Sequence, residues 1–163
     1  MLDRRECLVD LVAVRISDLL TYWRWLIGNG QFELIRATVF GDLFLRDSVG
    51  QIYFLDTMEG TFRPFGLPGQ DLHQALDNRH VRGKLLMPLF VEELREAGKL
   101  LAAEQCYSPD IPIVLGGGLD VSNYQPADIR VHVSMMGQIH RQAKNQSPGT
   151  KIRDVEIIEE AQS

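Results

Sequence analysis

The chain is predicted to fold as an α+β protein: an antiparallel β-meander packed with several α-helices in a single domain. Three observations carry this expectation. Six of the seven phenylalanines fall within residues 32–65, where turn-forming residues separate short apolar runs. Apolar residues recur at helical spacing before and after that stretch. Strands and helices are partly segregated, without the regular alternation that marks a doubly wound parallel sheet.

The first helix is expected from Val12, Ile16, Leu19, Leu20, Trp23 and Ile27, which form one stripe at three- and four-residue spacing, ended by Gly28-Asn29-Gly30. Trp23 faces inward on that reading, and Trp25 falls off the stripe. In the meander, Val39, Leu43 and Leu45 alternate on the first strand, Ile52 and Phe54 share a face of the second, and a third near Thr61–Arg63 stops at Pro64. Its aromatic-rich face should meet the helices near residues 12–27 and 87–97, because neither element hides its apolar surface alone. Asp71 caps a short helix through about Asn78, and Met87, Phe90, Val91, Leu94 and Ala97 mark a stronger one that ends at Gly98. Glu92, Glu93 and Glu96 give that helix an acidic outer face, whose simplest reading is a solvated surface. Beyond the Gly116-Gly117-Gly118 turn, a strand near Ile129–His132 and a helix near Met135–Lys144 are expected, and residues 153–163 are read as a frayed tail.

A chain of 163 residues with 45% apolar and 24% charged residues can bury a single hydrophobic core without metal or disulfide staples, so residues 1–163 are read as one domain. The net charge of -5 disfavours nonspecific binding to a phosphate backbone and suits a basic partner. Cys7 and Cys106 form no CxxC pair and read as buried or free thiols of a reducing compartment. No signal-peptide pattern opens the sequence and no stretch reaches the roughly 20 apolar residues of a membrane span, so a cytoplasmic protein is expected.

No reaction is specified by the motifs. The three glycines lack both the G-x-G-x-x-G and the P-loop context and are read as a structural turn. His73 and His80 would stand about 10 Å apart on a continuous helix, too far to share a metal ion. His132 and His140 are separated by the expected change from strand to helix. Asp42, Asp47 and Asp56 could form a carboxylate pair or cation site, although local turn bonding accounts for Asp47 and Asp56. No serine lies in a nucleophile elbow, and neither cysteine has a pattern marking it as one. The expectation is therefore a non-enzyme with no cofactor and no metal.

Gly41-Asp42-Leu43, Phe54-Leu55-Asp56-Thr57, Gln105-Cys106-Tyr107, Leu115-Gly116-Gly117 with Asn123, and Val131-His132 through Gly137-Gln138-Ile139-His140 occur in one order. Over residues 37–152 they resemble the C-terminal domain of bacterial immunity proteins against type VI secretion DNase effectors. Members of that group often carry a GAD-like domain ahead of this region, whereas residues 1–36 precede it here. The resemblance implies a non-catalytic protein that binds and neutralises a cognate toxin, a nuclease. Asp47, Glu59, Glu92 and Glu96 are the expected partner-binding residues, chosen for charge and turn position. The alternative is a protein-interaction or small-ligand-binding module of the related cell-wall-regulator-like superfamily.

Overall fold

The computed structural model describes residues 2–146 and 155–158. After a 3-10 turn at Arg4–Cys7, Leu8 bridges Thr38 in antiparallel fashion. The expected first helix is a broken run: α1 (Ile16–Leu20), a 3-10 turn at Thr21–Trp23, and α2 (Arg24–Ile27). Val12 lies outside it and is 72% exposed, contrary to the stripe, because the Ala13 N–H donates to Glu104 Oε1 at 2.6 Å and holds that segment in a non-helical path. Thr21 Oγ1 donates back to Ser17 O, a bond that competes with a regular helix at the break. Leu19, Leu20, Trp23 and Ile27 are buried as expected, and Gly28 ends the run at φ 77°.

Four strands, β1 (Glu33–Ala37), β2 (Leu43–Arg46), β3 (Ile52–Asp56) and β4 (Thr61–Pro64), form an antiparallel sheet in sequence order. The meander thus has one strand more than expected. Val39 is not part of β2, since Thr38 N–H donates to Asp42 O and Gly41 N–H to Thr38 O, which closes a tight turn. Both faces of the sheet are covered. Leu43, Leu45 and Leu55 meet Leu19, Leu20, Trp23 and Ile129 on one side. Phe44, Ile52 and Phe54 meet Leu72 and Leu76 on the other. Aromatic residues thus occupy both faces: Phe44 and Phe54 turn toward residues 72–76, while Phe32 and Phe62 pack on the side of the helices near 12–27, as expected; the helix near 87–97 meets neither face, and the sheet divides what was expected to be a single core.

α3 (Leu72–Ala75) is capped by Asp71, whose Oδ1 accepts from Gln74 N at 2.8 Å. It stops before Asn78, which instead caps α4 (Arg79–Leu86) by accepting from the N–H groups of His80 and Val81. Met87, at φ 45°, turns the chain into α5 (Pro88–Glu96), where proline occupies the first helical position. Val91 and Leu94 face a third apolar cluster with Phe40, Tyr107 and Tyr124, and Gly98 ends the helix at φ 81°. β5 (Gln105–Pro109) and β6 (Tyr124–Asp128) pair antiparallel, and α6 (Ile129–Lys144) follows at once. The strand expected near residues 129–132 is the first turn of α6, because Asp128 Oδ1 accepts from Arg130 N and caps the helix there.

Of the tail expected to fray, only residues 155–158 lie within the described residues. They are held against α6: Ile158 N–H donates to Gln138 Oε1 at 2.6 Å and Ile158 O accepts from Gln138 Nε2 at 3.0 Å. Among the described residues, no helix is long and apolar enough to cross a membrane.

Candidate functional site

Because α6 starts at Ile129, His132 and His140 stand on one helix, two turns apart, above two sheet turns. His132, 3% exposed, places Nδ1 2.7 Å from Ser108 Oγ on β5 and Nε2 3.3 Å from Thr57 Oγ1 after β3. Thr57 donates through both N–H and hydroxyl to Asp42 Oδ1, at 2.8 and 3.1 Å, and Thr38 Oγ1 donates to Asp42 Oδ2 at 3.2 Å. His140 Nε2 lies 2.9 Å from Thr57 O. One set of donors satisfies the chain: Ser108 donates to Nδ1, His132 donates from Nε2 to Thr57, and Thr57 donates to Asp42.

The electrostatics of this joint follow from burial. Asp42 is pushed up to about 7, first by desolvation and then by the charge of Asp56, against the donors of Thr57 and Thr38. His132 is pushed down to about 4 by burial, against a bond to the Phe40 backbone, and burial also lowers His140. Both thiols are buried and free, as expected, with burial raising Cys7 to about 11 and Cys106 well above its ordinary value.

Ser108, His132, Thr57 and Asp42 place hydroxyl, imidazole and carboxylate in series, but Thr57 stands between the acid and the ring, so Asp42 does not orient His132 as it would in a triad. Ser108 is 8% exposed, and the cavity beside His132, lined also by Phe40 and Tyr124, measures about 10 Å³, room for roughly one water. No substrate enters such a space. The arrangement ties the β1–β2 turn, the β3–β4 turn, β5 and α6 together. A second tie lies along α6, where Trp23 Nε1 donates to Val133 O at 2.8 Å and Trp25 Nε1 to Gly137 O at 3.2 Å. The absent side chain of Gly137 lets α6 approach this closely, since a Cβ there would fall 2.6 Å from Tyr22 O.

The residues singled out from sequence separate into distinct places. Asp47 sits in the β2–β3 turn, accepting from the N–H groups of Val49 and Gln51, while Glu59 is exposed in the β3–β4 turn at the other end of β3, about 17 Å away by strand rise. Glu96 is exposed on α5, and Glu92 is half-buried, accepting from the Leu2 N–H at 3.0 Å. Asp42 is buried in the joint, and Asp56 accepts from the Glu59 N–H at 2.8 Å. His73 and His80 fall on different helices, and His73 Nδ1 lies 2.7 Å from Arg4 Nη1. The glycine turn is structural: Gly116 has φ 96°, and a Cβ on Gly117 would collide with the Ile111 carbonyl. Asn123 holds that turn, donating to Ile111 O and Gly118 O and accepting from Ile111 N. Ser108, like the other serines, lies in no nucleophile elbow, and Thr38 lies in no motif; only long-range folding brings them to His132 and Asp42. Among the described residues, no three His, Cys, Asp or Glu side chains gather as metal ligands.

Residues 69–140 match the family model of the T6SS immunity protein Tdi1, C-terminal. That span lies inside residues 37–152 and covers α3 through most of α6, leaving the four-stranded sheet outside. The fold is similar to that of Atu4351 from Agrobacterium tumefaciens, with a TM-score of 0.54 and 14% identity over 75% of this chain. The chain spans 63% of the length of that protein. Curated proteins give no match.

Proposed function

We propose that the chain is an immunity protein that binds and neutralises a toxin delivered by a type VI secretion system, and that this toxin is a nuclease met in the cytoplasm. The observation that carries the reading is the match of residues 69–140 to an immunity-protein family. Two features are in keeping with it. The arrangement nearest to a reaction centre is closed around His132, which suits a protein that acts by occupancy. The net charge of -5 suits a basic partner such as a nucleic-acid-cleaving enzyme.

Asp47 in the β2–β3 turn, Glu59 in the β3–β4 turn and the pair Glu92 and Glu96 on α5 occupy three separate places, so their proposed part is to steer a basic surface during approach and not to form one contact patch. Glu59 and Glu96, both exposed, carry most of that part. Co-expression with a type VI effector sought among the neighbouring genes tests the reading: growth is rescued only when the chain is present, and a complex co-purifies. Absence of both rescue and complex rejects immunity, whereas a complex without rescue favours an interaction module.

A further inference from the structure

Between the N-terminal segment and α5 lies a cleft of about 390 Å³, separate from the joint around His132. Its floor is apolar, with Val9, Val39, Val91 and Tyr107 all buried. One lip is the loop at residues 100–103, where Leu100 is 64% exposed and Ala102 and Ala103 are exposed. The other lip carries Glu6, paired with Arg95 at 3.0 Å, and Asp10.

The polar groups around the cleft are largely engaged. The Tyr107 hydroxyl donates to Lys99 O at 2.6 Å, and Gln105 Oε1 accepts from Ala102 N at 2.9 Å. A small metabolite would require polar groups converging on the floor to orient it, and these side chains do not supply them. What the cleft offers is an apolar floor with an exposed carboxylate, Asp10, on its rim. An apolar pocket ringed by polar groups is the form of a protein-interface hot spot.

The two lips are also fixed to each other. Glu104, at φ 63°, donates its N–H to Asp10 O at 2.9 Å, and its carboxylate joins the Ala13 N–H to Arg130. The cleft is therefore formed before any partner arrives, which reduces the ordering cost of binding. Its far lip and much of its floor come from residues 91–107, inside the family match, whereas Asp10 lies outside it.

We infer that this cleft anchors the toxin: it takes a large apolar side chain of the effector, and a neighbouring lysine or arginine of the effector pairs with Asp10. This assignment rests on the immunity reading. The test measures binding of the purified full chain to a catalytically inactive form of the effector used for co-expression. Ala103→Arg, which puts a long charged side chain on the lip, should weaken binding at least 30-fold, and Asp10→Lys at least tenfold. Leu67→Gln, at an exposed position away from both the cleft and the four acidic residues, should leave the affinity within about twofold. Unchanged thermal unfolding of the variants shows that the fold is kept. Should Ala103→Arg fail to fold, hydrogen exchange on the wild-type complex gives the same answer, with protection expected at residues 8–10 and 100–107. Wild-type affinity in both cleft variants, or a complex without that protection, overturns the cleft assignment and leaves immunity standing. Failure of the wild-type chain to bind and to protect overturns immunity and this assignment with it.

Discussion

The imidazole of His132 fills the space that a side chain on Gly41 would need: a Cβ at Gly41 would fall 2.7 Å from His132 Nε2. Gly41 also has φ 83°, so both backbone conformation and space require glycine there. The same relation recurs at the second turn, where a Cβ on Gly60 would fall 2.5 Å from His140 Nδ1. Two histidines on one helix thus sit on two glycines of the sheet.

Gly41→Ala is expected to destabilise the fold by about 3 kcal/mol, the sum of positive-φ strain and displacement of the buried ring. Urea denaturation measures it. Combining it with His132→Ala should cost less than the sum of the two single changes, because the second change removes the clash. Strict additivity would refute the contact.

In the glycine turn, Gly116→Val and Gly117→Val should each lower stability by roughly 2 kcal/mol or more, the first through φ 96° and the second through the Ile111 carbonyl. Gly118→Val should cost less, since its Cβ would meet only the end of the Asp120 side chain, at 2.8 Å. Thermal unfolding of the three variants ranks them. Equal stability of all three with the parent would end the structural reading of the turn.

Asp42 and His132 oppose each other as pH changes. Asp42 titrates near 7 in the fold against 3.8 ordinarily, so between those values the folded chain holds a proton that the unfolded chain releases, and its contribution to stability falls as pH rises. His132 titrates near 4 against 6.5, so there the unfolded chain holds the extra proton and the contribution rises with pH. His140, also lowered, adds to the rise. Asp42→Asn should therefore make stability climb more steeply with pH between about 4.5 and 6.5 than in the parent, by up to about 1 kcal/mol per pH unit. Denaturation curves at three pH values decide it, and equal slopes in variant and parent would show that Asp42 is not raised.

Charge reversal at Asp47, Glu59, Glu92 and Glu96 together should slow association with the effector tenfold or more at low salt, with a smaller change in dissociation. The difference should shrink as salt rises. Stopped-flow binding separates the two rates, and an unchanged association rate would remove these residues from the approach path.

Local patterns were legible where one element decided the outcome. Gly28 and Gly98 end helices, Asp71 caps one, and Ile52 with Phe54 share a strand face, all from signals within a few residues. The misreadings came from competition over longer range. Val12 continues the helical spacing, yet Glu104 captures the Ala13 N–H and keeps that segment out of the helix. A strand is expected near Ile129–His132, but the Asp128 cap starts α6 there. Of the residues behind the family resemblance, Asp42, Thr57, His132, Gly137 and His140 join α6 to its neighbours, while Gly117 and Asn123 hold the glycine turn against Ile111. The cleft was invisible because it is assembled from residues 6–10, 39 and 91–107, three stretches with no common pattern.

Trp23 and Trp25 are the chain's two tryptophans, their rings stack 6.1 Å apart, and both indoles hydrogen-bond carbonyls of α6. The ultraviolet emission of the protein is consequently a gauge of a single seam. Its wavelength and intensity follow the seating of α6 on the N-terminal helices, with His140, 5.8 Å from Trp23, as a neighbouring quencher once protonated. No tryptophan lines the cleft, so a label-free optical signal can report the seam coming apart separately from an event at the opening beside Asp10.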